Sequence, residues 1–192
     1  MNDQENLNAS LDKLVEQGMQ SYPFALLAIQ QFRLEIQKRT QNVLKRKIKE
    51  LGNAMGRDIK ESDIQPYADP DGLSGSEYDG SWGLITLKLW VDPVACYFGI
   101  SFGLDNEGKV ESYVTAIMSP WYKAQMNFLL SKSKEITDDF DNDEENHIVI
   151  YDVLYPTEHK LFEKRLIDLI DKWIAVWEKV GGIDAMKKQT ST

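Results

Sequence analysis

The sequence predicts an α+β fold in which an antiparallel β-meander of about four strands packs against a long N-terminal helix and a C-terminal helix. Apolar residues recur every three or four positions before residue 51 and again after residue 160, and they alternate with period two between these segments. Because the strands follow one another without intervening helices, a doubly wound parallel sheet is not expected. The length of 192 residues favours a single domain over residues 1–192. We expect residues 1–20 to be a helical appendage of that domain and residues 183–192 to be a frayed tail.

Two helices are expected in the first fifty residues. The first has an apolar face made of Leu7, Leu11, Leu14 and Val15. Gly18 is a suitable residue for its C-terminal end. Ser21 caps and Pro23 opens a second helix, which continues to about Leu51 because no glycine or proline interrupts it. Residues 57–81 contain two prolines and three glycines and are therefore expected to form a connector.

The meander occupies the middle of the sequence. Alternating apolar residues predict a first strand over residues 82–91 and a second over residues 94–102. Asp92-Pro93 forms the turn between them, and residues 105–108 form the next hairpin turn. A third strand follows over residues 109–117. Two short turns in succession require neighbouring strands to be antiparallel.

Helical signals return after the third strand. Ser119-Pro120 has the residue types of a helix start, and the helix is expected to end near Lys134. A fourth strand is expected over residues 147–154, and Thr157 caps the last helix, which ends at Gly181-Gly182. The apolar face of that helix consists of Leu161, Phe162, Leu166, Leu169, Ile170, Trp173, Ile174, Trp177 and Val180.

Composition excludes several classes of protein. The chain has 31 acidic and 22 basic side chains and a formal net charge of −9. No apolar run reaches the ~18 residues of a membrane span, and the polar N-terminus has no secretory signal. Cys96 is the single cysteine, and with two histidines it cannot build a structural zinc site or an internal disulfide. We therefore expect a cytoplasmic protein without a cofactor.

The main charge feature is an acidic segment, residues 135–145, with seven carboxylates and no basic residue. Asp139-x-Asp141-x-Asp143 matches the first half of a calcium loop, but Glu144 and Ile150 stand where that loop needs glycine and a bidentate glutamate. We interpret the segment as an exposed, solvated loop. Two alternatives are a weak divalent-ion site and a docking surface for a basic partner. Its candidate partner-binding residues are Asp138, Asp139, Asp141, Asp143, Glu144 and Glu145.

Two other patterns support rival functions. Residues 33–50 have seven basic and two acidic side chains, a formal charge of +5 that could follow the phosphates of a nucleic acid. Nucleic acid binding is opposed by the overall negative charge. Carboxylates on or beside the strands could serve a divalent-metal-dependent hydrolase or nuclease-like enzyme if they converged. They are Asp79, Asp92, Glu111 and Asp152.

Aromatic residues provide the remaining signal. Trp82 and Trp90 lie on the less apolar face of the first strand, and Trp121 follows the third. Tyr97 and Tyr113 lie on the next two strands, so the five rings are expected to cluster around the meander. Such aromatic residues usually belong to the core, but if no helix covers this face they form a partner-binding or ligand-binding surface. Because the sequence lacks phosphate-loop and nucleophile-elbow motifs, we predict a non-enzymatic adaptor or neutralising partner of a basic protein, or a protein that self-associates.

Overall fold

The computed structural model describes residues 3–68, 83–104, 109–142 and 147–189. The chain divides into two compact units, Met1–Glu35 and Ile36–Thr192. The second unit has the expected α+β architecture, with an antiparallel sheet and helices. The assignment of one domain to the whole chain stays a prediction. Within the described ranges, no helix combines the length and apolar character that crossing a membrane requires.

One continuous helix, α1 (Asp3–Met55), replaces the two helices expected from the sequence. Gly18 and Pro23 both lie inside it. The Ser21 hydroxyl does not cap a new helix but donates to the carbonyl of Gln17 one turn earlier, at 2.5 Å. Pro23 removes one backbone donor and costs about 3 kcal/mol, and Gly18 costs about 1 kcal/mol. The expected break was wrong because neither residue outweighs the helical preference of the residues on both sides.

The end of α1 depends on two glycines. The Arg57 backbone N–H donates to the carbonyl of Gly52 at 2.9 Å, so the chain folds back over the last turn. A Cβ atom at Gly52 would lie 2.7 Å from the Arg57 carbonyl oxygen. Gly56 has a φ of 64°, a left-handed conformation that ends the helix at low cost.

The sheet has the strand order β1-β2-β3-β4-β6-β5, and every neighbouring pair is antiparallel. Its strands are β1 (Ile64–Ala68), β2 (Gly83–Val91), β3 (Val94–Leu104), β4 (Val110–Pro120), β5 (Asp141–Asn142) and β6 (Ile148–Val153). The β2–β3–β4 meander confirms the predicted topology. The number of strands is larger than the four expected, since five strands have at least five residues and the two-residue β5 lies at one edge. The sequence concealed β1 because Pro66 lies within it, a position that an edge strand tolerates.

The start of the next helix is also later than expected. Strand β4 continues through Ser119 and Pro120, which pair with Ala95 and Val94 of β3. Helix α2 then extends over Lys123–Lys134. The helix start predicted at Ser119-Pro120 was wrong because proline is also acceptable as the last residue of a strand.

Helix α3 (Phe162–Val180) covers the inner face of the sheet, against β4 and β6. The predicted apolar face is confirmed by the burial of seven of its residues: Phe162, Leu166, Leu169, Ile170, Trp173, Trp177 and Val180. Leu161 is exposed, because it belongs to the short 3-10 helix Pro156–Leu161 that precedes α3, and Ile174 is half-buried. The Trp173 ring packs edge-on against Phe140, with ring centroids 4.5 Å apart.

The expected fraying from residue 183 onward was wrong for residues 183–188. Gly181 adopts a left-handed φ of 79° and ends α3, and α4 (Gly182–Lys188) follows immediately. Ile183 and Met186 are fully buried in the core. These two apolar residues, three positions apart, therefore hold the last helix against the core. The sequence did not predict this helix because Gly181-Gly182 is typical of the end of helical structure.

We expect Trp173→Ala to lower the free energy of unfolding by about 3–5 kcal/mol, because it deletes a buried aromatic ring and leaves a cavity. Trp121→Ala is the matched control, since Trp121 is 59% exposed, and it should cost at most about 1 kcal/mol. Urea denaturation followed by circular dichroism measures both values. Equal losses in the two variants would contradict the packing of α3 described above.

Candidate binding surface

Two tryptophans meet where β2 and β4 end. Trp90 points away from the core, because its neighbours Leu89 and Val91 are buried and side chains alternate along a strand. Trp121 directly follows β4, and its backbone N–H donates to the carbonyl of Pro93 in the β2–β3 turn at 3.3 Å. The two ring centroids are 5.3 Å apart, with an interplanar angle of 52°. The sheet therefore positions an aromatic pair at its surface.

These rings belong to an aromatic cluster, which we define as Trp90, Tyr97, Trp121 and Tyr122. The side chains of Trp90, Trp121 and Tyr122 are 41%, 59% and 53% exposed. They line an open cleft of about 610 Å³, to which Met126 and His147 also contribute. A cleft with this many exposed aromatic rings has the composition of a protein-binding hot spot.

Positive charge also lies at the cluster. The Lys88 ammonium is 4.7 Å from the centroid of the Trp90 ring and 5.8 Å from that of Tyr97. Both distances are within the range of a cation–π interaction. Ala95 pairs with Trp90 across the β2–β3 ladder, and its small side chain leaves space at the floor of the cleft. Lys123 also lines the cleft.

The first part of the acidic segment is held by lysines of the helices. Lys132 and Lys179 lie 2.7 Å and 3.0 Å from the Glu135 carboxylate, and their hydrogen bonds lower the pKa of Glu135. The Lys172 ammonium lies 2.5 Å from the Asp139 carboxylate and lowers the pKa of Asp139. Both carboxylates are exposed, so water screens these pairs and their contribution to stability is small.

The expectation of an exposed loop over residues 135–146 agrees with the exposed Glu135, Asp138 and Asp139, but it was wrong for Phe140 and for residues 141–142. Phe140 is buried against Trp173, and residues 141–142 pair with β6. Asp138 is exposed and lines a second open cleft with Asp139, Phe140 and Tyr151.

Asp143, Glu144, Glu145 and Trp82 lie outside the described residues, and for Asp141 only the backbone is described.

Three of the four carboxylates of the rival enzyme hypothesis are described, and these three do not come together. Asp92 lies in the turn beside the end of β4, whereas Glu111 lies at the start of β4, about 30 Å away at the rise of a strand. Asp152 pairs instead with Arg165 of α3, at 3.3 Å. Asp79 lies outside the described residues. Among the described residues, no group of three His, Cys, Asp or Glu side chains could hold a metal ion.

The basic stretch at residues 33–50 is partly neutralised within the second unit. Lys45 pairs with Glu61 at 2.8 Å, and Arg46 pairs with Glu163 at 2.7 Å. The Asp171 carboxylate, 2.7 Å from Lys47, and that of Glu50, at 2.8 Å, raise the pKa of Lys47 through hydrogen bonds. These pairs reduce the charge that this stretch could offer to phosphates.

Cys96 does not have the environment of a nucleophile. It lies on β3 and is fully buried, and desolvation raises its pKa to about 12. The thiolate is therefore almost absent at neutral pH, and Cys96 acts as a small apolar core residue.

Sequence reasoning found only part of the cluster. Alternation along β2 identified Trp90, but Tyr122 was missed because the helix was expected to start two residues before Trp121. His147 reaches the cleft through the pairing of β6 with β4, a long-range contact that no local pattern encodes. No family model, curated protein or solved structure matches this chain.

We expect Lys172→Gln to raise the pKa of Asp139 towards its ordinary value, because the ammonium that stabilises the carboxylate is lost. In the unchanged protein the ion pair is present above the lowered pKa of Asp139 and is lost as the pH falls through it. Carboxyl titration by NMR measures this shift. Lys164→Gln removes an exposed lysine from the same helix and should leave Asp139 unchanged. An Asp139 pKa that is identical in all three proteins would contradict the ion pair.

Proposed function

We propose that this chain is a non-enzymatic, cytoplasmic binding protein that holds a segment of a partner protein in the cleft of the aromatic cluster. The observation that carries this proposal is the exposed contact pair of Trp90 and Trp121. Tryptophan and tyrosine are the residue types that most often dominate binding energy at protein interfaces. They are costly to leave in water, since each ring can bury roughly 150–250 Å² of surface.

The acidic segment adjoins this cleft along the chain. Its last carboxylate, that of Glu145, precedes His147 by two positions. His147 itself lines the cleft.

This arrangement defines the chemistry of the partner. An apolar or aromatic anchor on the partner fits against the aromatic rings, where Lys88 and Lys123 disfavour a basic residue. Basic residues that flank the anchor would meet the acidic segment, which raises the association rate at low salt. A partner with a basic surface and an apolar anchor satisfies both parts.

The two rival functions receive less support. The described strand carboxylates lie far apart or pair with arginine, which disfavours a metal-dependent hydrolase. The ion pairs of Lys45, Arg46 and Lys47 disfavour a nucleic-acid surface on the basic stretch.

We expect Trp121→Ala to weaken binding of the partner about 30-fold, the loss of a hot-spot side chain. Partners are identified by comparing the proteins that bind the unchanged chain with those that bind Trp121→Ala, and affinity is then measured with the purified partner. Tyr155→Ala is the control, because Tyr155 is equally exposed (57%) but does not line the cleft.

A second variant tests the acidic segment separately. Replacement of Asp138, Asp139, Asp141 and Asp143 by Asn should reduce the salt dependence of binding, because four charges are removed. Binding that is equal in Trp121→Ala and Tyr155→Ala would contradict the role of the aromatic cluster. Binding with the same salt dependence in the four-Asn variant would contradict the electrostatic role of the acidic segment.

A further inference from the structure

The first compact unit leaves an unusual amount of apolar surface in water. Eleven large apolar side chains between residues 11 and 34 are 38% to 75% exposed. Together they present an apolar surface on the order of 1,000 Å², larger than the patches of about 300–600 Å² found on soluble monomers. These residues are independent of the aromatic cluster, which belongs to the second unit.

Most of this surface forms one stripe along α1. At 100° per residue, all eleven side chains except those of Phe24, Leu27 and Leu34 fall on one face of the helix. Positions in the middle of that stripe repeat by four and three residues from Leu11 to Phe32, and none of them is charged. Such a repeat over three or more heptads is typical of a coiled-coil seam. Pro23 lies outside the seam.

The charges of this segment are separated along its length. Residues 1–16 contain four carboxylates and one lysine, a formal charge of −3. Residues 17–32 contain no charged side chain, and residues 33–39 contain three basic residues and one glutamate, a formal charge of +2. A parallel pair of such helices would place like charges together, whereas an antiparallel pair places each acidic end beside a basic end.

We propose that residues 11–35 of α1 pair antiparallel with the same segment of a second copy of this chain. With Tyr22 opposite Ala25, the seam also places Ile29 opposite Gly18 and Phe32 opposite Val15, so each layer joins a larger side chain to a smaller one. This alternation of sizes is what close packing of two helices requires.

The flanking positions on one side of the seam are complementary in the same register. Asp12 faces Arg33 of the second copy, and Met19 faces Leu26 of the second copy. Each of these contacts occurs twice because the pair has a two-fold axis. The eight exposed side chains on the stripe of each copy, counted over both copies, supply more apolar area than the 1,000 Å² or so of total surface that a stable interface buries.

A membrane surface fits this segment less well. Helices that lie on membranes carry many lysines and arginines on the polar face. Residues 11–35 contain two basic side chains, Lys13 and Arg33, against three carboxylates, those of Asp12, Glu16 and Glu35.

The test is the mass of the full chain in solution, measured by sedimentation equilibrium over two decades of protein concentration. The unchanged protein should shift from 22.1 kDa towards twice that mass. Val15→Gln with Tyr22→Gln should raise the dissociation constant at least about 100-fold, because both side chains lie in the seam and each is lost twice. Phe24→Gln with Leu34→Gln is the control, since these side chains are 75% and 67% exposed on other faces of the helix. The control should change the constant less than about threefold.

A charge swap tests the orientation. Asp12→Arg should weaken the dimer because it places two arginines together. Asp12→Arg with Arg33→Asp should restore the dimer, because an arginine at position 12 then faces an aspartate at position 33 of the second copy. The proposal would be overturned by a protein that stays at 22.1 kDa at every concentration. It would also be overturned if both double Gln variants weakened the dimer equally, or if Arg33→Asp did not restore the dimer that Asp12→Arg had weakened. Association that disappears when Asp138, Asp139, Asp141 and Asp143 become Asn would also overturn it and assign self-association to the acidic segment. The four residues replaced by Gln are exposed, so the variants should stay folded, and circular dichroism of each variant is the measurement that checks this.

Discussion

The packing of α3 against the inner face of the sheet is the interaction on which the rest of the second unit depends. Phe162, Trp173 and Trp177 are almost fully buried there. Each large side chain stabilises the fold by about 2–3 kcal/mol through burial alone. The same contact holds Phe140, and with it the beginning of the acidic segment, at a fixed place beside α3. It also orders β4 and β6, whose ends carry Trp121 and His147 to the cleft.

The core of this unit is formed without the exposed aromatic residues. Strands β2, β3 and β4 alternate, so one set of side chains faces α3 and the other set, including Trp90, is left on the opposite face. A large exposed ring contributes little to stability and favours association, so its presence is better explained by binding than by folding. The same reasoning applies separately to the apolar stripe of residues 11–34.

Much of the fold could be predicted because its signals are local. Alternation identified the meander, and helical spacing identified the buried face of α3. The errors arose where one residue type permits two structures. Pro23 is acceptable at a helix start but also occurs inside α1, and Pro120 ends a strand although proline often opens a helix.

The candidate site was only partly predictable for a different reason. Trp90 followed from the period of its own strand. The proximity of Trp121 to Trp90 followed from the meander, whereas the ion pair of Lys172 with Asp139 depends on which distant segments pack together. Sequence spacing within one segment does not contain that information. The sequence also suggested a cluster that the structure does not contain. Asp92, Glu111 and Asp152 are carboxylates on or beside the strands, but the fold does not bring them together in one site.

Hydrogen–deuterium exchange of the full chain at a low and a high protein concentration tests the central claim, that the core is complete without the exposed apolar residues and that these serve association. Amides of β3, β4 and α3 should exchange slowly and equally at both concentrations, because the buried core protects them. Amides of residues 11–35 should exchange fast in the dilute protein and slowly in the concentrated protein. Slow exchange of residues 11–35 in the dilute protein, matching that of α3, would contradict the account.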